Sequence, residues 1–166
     1  MEQSFNRELK ISFEEIHNRL NLPREVIVLF NKAEQALGNA YAPYSKFKVG
    51  SSLLLENGSY IIGNNQENAS FPNGICSERV ALFSAKANYP DLIIKKIAIT
   101  CLTDDFVIKQ PIAPCGMCRQ VLLEYEEEQN FPIEVWLFSK FKILKFNKAK
   151  DLLPLYFNED RLKKKN

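Results

Sequence analysis

Residues 110–128 read QPIAPCGMCRQVLLEYEEE. Pro114 and Gly116 frame two cysteines three apart, Cys115 and Cys118, ahead of an apolar and acidic run. The spacing predicts a helix over 116–129, with Val121, Leu122 and Tyr125 inward and Glu124, Glu126, Glu127 and Glu128 outward. In the first turn of that helix a step of three brings both sulfurs to one side. Such a pair suits a redox dithiol, half of a structural zinc site, or part of a catalytic metal centre. Its own residues do not choose among them.

The flanks of this helix turn to strand patterns. IIKKIAITCLT (93–103) precedes it, an apolar run expected to be buried on both faces. IEVWLF (133–138) and FKILKF (141–146) follow as two further strands, joined without the usual glycine or asparagine turn. KAKDLLPLYF (148–157) ends the compact part. Upstream, REVIVLFNKAEQALGNA (24–40) places Val26, Leu29, Phe30, Ala33 and Leu37 at helical spacing, with Gly38 and Asn39 at its end. FKVGSSLLLENGSYIIGNN (47–65) reads as a hairpin around Asn57-Gly58. CSERVALFSAKANY (76–89) is apolar on nearly every side and is expected inside the protein. Residues 1–23 form a polar lead-in with a strand or short helix around residues 9–16. Helices interleaved with strands predict an α/β fold, a three-layer α-β-α sandwich around a mixed five-stranded sheet.

At 166 residues the chain reads as one domain with a substantial core. A charged content of 25% and a net charge of +2 offer no nucleic-acid or membrane surface. No apolar run approaches the roughly 18 residues of a membrane span, and the N-terminus has no signal-peptide pattern. The expected compartment is therefore the cytoplasm. Thiols stay reduced there, so the four cysteines are better suited to metal or catalytic work than to disulfides.

Cys76 stands at the start of one predicted helix, and Cys115 and Cys118 at the start of another. A helix N-terminus lowers a thiol's pKa and favours the thiolate, the form that binds zinc in preference to hard cations. A structural zinc site needs four ligands, whereas a catalytic one has three and an open position. Cys101 lies in a buried-strand pattern, and the single histidine, His17, lies in the polar lead-in. Three ligands and an open position is the favoured reading. Glu78, two residues past Cys76, is a carboxylate suited to moving protons at such a site. Arg79 is suited to drawing charge from the thiolates.

CSER followed by PCGMCRQV resembles the cytidine deaminases that act on free nucleosides, whose pattern is C-A-E-R and P-C-G-x-C-R-Q. Their zinc chemistry is a general template of nucleobase deamination. AYAPYSKFKVG (40–50), NNQENASF (64–71) and DLLPLYF (151–157) extend the likeness over roughly residues 33–157. The resemblance implies one Zn²⁺ per subunit on Cys76, Cys115 and Cys118, with Glu78 as proton shuttle. Phe47, Asn65, Glu67 and Ser77 would contact the nucleoside, and Arg79 and Arg119 would stand behind the metal. Phe71 and Phe157 would reach a neighbour's site in a homotetramer. The implied reaction is hydrolysis of cytidine and 2′-deoxycytidine to the uridines plus ammonia, within pyrimidine salvage. Residues 1–25 would be an extension, 26–158 the catalytic domain and 159–166 a flexible tail. Ser77 departs from the family's common alanine. Deaminases of RNA or DNA bases present H-x-E instead, and nucleoside-antibiotic deaminases share much of the motif. A closed zinc module with Cys101 as fourth ligand is the non-enzymatic rival.

Overall fold

Arg24–Leu37 forms the first helix, α1, and ends at Gly38. In this computed structural model, which describes residues 4–158 and Leu162, it packs on one face of a mixed sheet. Six strands make up that sheet: β1 (Glu14–Ile16), β2 (Lys48–Leu55), β3 (Tyr60–Asn64), β4 (Ile94–Leu102), β5 (Glu134–Phe138) and β6 (Ile143–Phe146). Their order is β1-β6-β5-β4-β2-β3. Only β4 and β5 run parallel. The helix between them, α3 (Gly116–Glu128), is the crossover that a parallel pair requires. The remaining helix, α2 (Ser77–Asn88), links β3 to β4.

Alternation along the central strands builds two cores. Leu53, Leu55, Ile97, Ile99, Val135 and Leu137 meet Leu82 of α2 and Leu122 of α3 on one face. Leu54, Ala98, Trp136 and Phe138 meet Val26, Leu29 and Phe30 of α1 on the other. Successive strand side chains point to opposite faces, so an apolar run fills both layers at once. The three-layer sandwich follows from that pattern.

Two glycines let the helices approach closely. A Cβ on Gly50 would lie 2.1 Å from the Ala33 carbonyl oxygen, so α1 rests on bare β2 backbone there. A Cβ on Gly63 would lie 2.3 Å from the Ser77 carbonyl oxygen, so the first turn of α2 rests on β3 in the same way. The second contact places the site.

The sheet has six strands, not the expected five. The additional one is β1, from the lead-in, paired antiparallel with β6. Its three residues carry little apolar signal, and it is held by Lys145–Glu14 at 2.8 Å and Lys142–Glu15 at 3.0 Å. Arg19 then lies over the Phe30 ring at 4.4 Å and donates to the Ser139 carbonyl. Between β5 and β6 the Ser139 hydroxyl accepts from the amides of Phe141 and Lys142, doing the work of the absent glycine.

Two helix faces differ from expectation. Phe83 is 42% exposed, because α2 buries only the stripe of Ser77, Glu78, Ala81, Leu82 and Ala85. Glu126 points inward and is buried, accepting from the amides of Ile133 (2.8 Å), Ala149 (2.7 Å) and Lys150 (3.2 Å). It thereby caps the 3-10 helix Ala149–Leu152, a solution for donors that would otherwise be orphaned in the core. No helix among the described residues is long and apolar enough to cross a membrane. The tail assigned to 159–166 lies outside the described residues, Leu162 apart.

Candidate active site

Cys76 and Cys115 occupy the N-cap positions of α2 and α3, and neither side chain makes a capping bond. With Cys118 in the first turn of α3, they form the one group among the described residues that could hold a metal ion, all three sulfurs within 4.8 Å. Cys76 and Cys115 Sγ are 3.8 Å apart, and Cys115 and Cys118 Sγ are 3.5 Å apart. Tetrahedral Zn–S bonds of about 2.3 Å separate their sulfurs by roughly 3.8 Å, so the cluster fits zinc.

Electrostatics agree with that fit. The Cys76 thiol is pulled down to about 5, first by the Cys118 S–H and then, against burial, by the Arg79 guanidinium. Arg79 Nη2 stands 4.0 Å from Cys76 Sγ. Cys118 shifts the other way, because its proton is shared toward Cys76 and the group is buried. Cys101 stays outside the cluster, on β4, where burial pushes its thiol up to about 11. His17 is paired with Glu15 at 2.9 Å in the lead-in. Neither offers a fourth ligand.

Cys76 and Cys115 open onto a cavity of about 690 Å³. Phe47, Val49, Ile75 and Ile112 line it together with Asn65, Glu67, Phe71, Cys76, Ser77, Glu78, Arg79 and Cys115. Glu78 is 4% exposed, and its carboxyl is raised above the usual range, chiefly by burial. The Ser77 hydroxyl donates to Glu78 Oε2 at 2.9 Å. A buried carboxyl with a raised pKa beside a metal-ligand cluster can accept a proton and return it near neutral pH.

The remaining expected site residues fall around this cavity in different ways. Asn65 clamps β2, its Oδ1 accepting from the Val49 amide (2.8 Å) and its Nδ2 donating to the Phe47 carbonyl (2.9 Å). Glu67 accepts from the Tyr44 amide (3.0 Å), the Ser45 amide (3.2 Å) and the Ser45 hydroxyl. Burial works to raise its carboxyl, and those bonds hold it below the usual value. Phe71 sits on the rim of its own chain's cavity, edge-on to Tyr44 at 5.9 Å. Phe157 is 70% exposed and lies apart from the cavity, its carbonyl accepting from Gln120. Arg119 holds backbone: Nε donates to the Pro114 carbonyl and Nη1 to the Leu152 carbonyl, both at 2.8 Å. It braces the cysteine loop against the C-terminal 3-10 helix.

Three residues with a role here were not singled out by the sequence. Ser51 on β2 lies 2.5 Å from the Ser77 hydroxyl, though a serine in a strand pattern says nothing of a partner 26 residues on. Tyr44 and Ser45 organise Glu67 through backbone amides, which every residue has, and through the Ser45 hydroxyl.

Comparison with known proteins bears on the same residues. Residues 24–131 match the family model described as the cytidine and deoxycytidylate deaminase zinc-binding region. A cytidine deaminase of Halalkalibacterium halodurans is 45% identical over 97 residues, 58% of this chain and 69% of that protein. One from Sporosarcina psychrophila is 33% identical over 138 residues, 83% of this chain and 95% of the other. The crystal structure of cytidine deaminase from Burkholderia pseudomallei superposes with a TM-score of 0.66 at 38% identity, covering 79% of this chain and 98% of that one. With three thiols poised for zinc at the mouths of two helices and that match across more than half its length, the chain belongs to the cytidine and deoxycytidylate deaminase family.

Proposed function

We infer that this protein is a zinc-dependent hydrolase that deaminates cytidine, and we propose 2′-deoxycytidine as a second substrate. The observation that carries the reading is the buried Glu78 carboxyl in one cavity with Cys76 and Cys115, beside the three-thiol cluster. Cys76, Cys115 and Cys118 would hold one Zn²⁺ per subunit, which supplies activation of water for attack on the pyrimidine. Glu78 takes one proton from the water and gives it to N3, then takes the proton of the hydroxyl added at C4 and gives it to the amine. The C4–O bond forms first, and the C4–N bond then breaks, so uridine and ammonia leave. Arg79 draws charge from Cys76, which offsets the surplus negative charge of three thiolates around a divalent ion.

Cavity volume and chemistry suit a single pyrimidine nucleoside. Phe47 offers an apolar wall for the base. Asn65 and Glu67 would meet ribose hydroxyls, Glu67 by exchanging its Ser45 bond, and the Ser77 amide would meet the base. Hydroxyls common to both sugars make ribose and deoxyribose comparable substrates. The products fit recycling of pyrimidine nucleosides. Three thiols that must remain reduced to bind metal suit the cytoplasm. We take 26–158 as the catalytic unit, to which the lead-in adds an edge strand. A homotetramer would shelter Phe71 and Phe157, which are 75% and 70% exposed in the single chain.

The test is zinc content measured together with the fall in ultraviolet absorbance on adding cytidine, 2′-deoxycytidine or a nucleoside antibiotic. One zinc per chain and turnover of the first two are expected. Glu78→Gln should keep zinc and lose about 10²–10⁴ of the rate. Near-normal turnover by that variant sinks the role of Glu78, and turnover of the antibiotic alone sinks the substrate.

A further inference from the structure

Ser77 begins α2 between Cys76 and Glu78, and its side chain is fully buried. The sheet explains where that side chain goes. Ser51 on β2 is paired across the ladder with Gly63 on β3, the bare backbone on which the first turn of α2 rests. Ser51, also fully buried, therefore lies within reach of Ser77, and the two hydroxyls are 2.5 Å apart. Ser77 in turn donates to Glu78 Oε2 at 2.9 Å. A hydroxyl has a single proton to donate. The Ser77 proton points at the carboxylate, so the bond between the serines is donated by Ser51. The chain runs one way, from Ser51 through Ser77 to Glu78, and burial leaves neither serine with water as an alternative partner.

We propose that Ser51 and Ser77 form a buried hydroxyl chain that holds the Glu78 carboxyl in one rotamer. Ser77 is then a positioning residue for the proton carrier, and Ser51 orients Ser77. Family members with the common alanine at this position lack the device. The inference rests on reading Glu78 as that carrier. Ser77 lines the cavity, so a direct contact between its hydroxyl and substrate would appear in KM. Ser51 is not among the cavity-lining residues and touches the site only through Ser77, which makes it the cleaner probe.

The test is steady-state kinetics on zinc-loaded Ser51→Ala, Ser77→Ala and the double variant, with zinc content measured for each. Ser77→Ala should lower kcat about 10- to 150-fold, the range for a hydrogen bond to a charged group, with KM within about twofold. Ser51→Ala should lower kcat by less, and the double variant should be no slower than Ser77→Ala. Losses that multiply in the double variant, or a Ser51→Ala kcat equal to wild type, overturn the proposal. Crystal structures of zinc-loaded wild type and Ser77→Ala give a second readout. One Glu78 position in the former and several in the latter are expected, and an identical single position in both overturns the proposal. If wild type fails to deaminate any pyrimidine nucleoside, the functional reading fails, and this crystallographic comparison alone decides the hydroxyl chain.

Discussion

Replacing Gly63 with alanine adds one methyl group where α2 crosses β3. The new Cβ would lie 2.3 Å from the Ser77 carbonyl oxygen, 2.6 Å from the Ala81 amide nitrogen and 3.0 Å from Ala81 Cβ. Close C···O contacts in proteins begin near 3.3 Å, so the start of α2 must retreat by about 1 Å. The two nearest atoms belong to the helix backbone, and no side-chain rotation relieves them. Overpacking of this kind costs about 1–3 kcal/mol of stability. The consequence at the site is larger than the loss of stability. Cys76 and Glu78 move with α2, while Cys115 and Cys118 stay with α3, so the 3.8 Å gap between Cys76 and Cys115 sulfurs changes. A displacement of about 1 Å in a catalytic constellation costs on the order of 10²-fold in rate. Thermal melting, zinc stoichiometry under competition with a chelator, and kcat on cytidine read the three effects. Gly58→Ala is the control, since its Cβ meets no atom within 4 Å and the strain of φ +85° stays in the hairpin. That variant should lose about 1 kcal/mol or more and keep its zinc affinity and kcat. A Gly63→Ala protein with wild-type melting, zinc affinity and kcat would refute the packing argument.

Three further outcomes rest on the same packing and electrostatics. Glu126→Gln keeps one acceptor oxygen but turns an amide group toward backbone N–H donors, so it should cost about 1–3 kcal/mol in urea unfolding; an unchanged midpoint counts against the buried cap. In zinc-stripped protein the Cys76 thiol sits at about 5, so its alkylation by iodoacetamide should rise through pH 5 and level off by pH 7, while Cys101, pushed up to about 11, keeps accelerating to that pH. Between about 5 and the ordinary thiol value of 9.0, the folded metal-free chain holds one proton fewer at Cys76 than the unfolded chain. The Cys76 contribution to stability should therefore rise with pH across that window, opposed at its acid end by the raised Glu78 carboxyl, and equal alkylation profiles for the two cysteines would exclude the shift.

Much of the fold was legible because it rests on local periodicity. The apolar stripe of 24–37, the Asn57-Gly58 hairpin and the apolar run of β4 each encode their element within a dozen residues. β1 escaped full definition because three residues cannot show a period, and its pairing depends on Lys145 of β6 and Lys142 just before it, more than 120 residues away. Glu126 sits among other glutamates and reads as solvated, yet the amides that claim it come from Ile133, Ala149 and Lys150. Phe83 belongs to an apolar helix whose buried stripe is narrower than its composition.

The site divides along the same line. Cys76, Glu78, Cys115 and Cys118 are chemically conspicuous residue types at helix-start spacings, so the sequence alone determined what could bind metal and what could move a proton. Bringing Cys76 within 3.8 Å of Cys115, across 39 residues of chain, is the work of the tertiary structure. So is the turning of Asn65, Arg119 and Ser51 toward backbone and hydroxyl partners. Hydrogen bonds of serine, asparagine and arginine are directional and short in range, and their partners are set by how strands pair and how helices seat on the sheet. Residue type and spacing carry chemistry. That Ser51 meets Ser77 was decided by a glycine at 63 that lets a helix touch a strand.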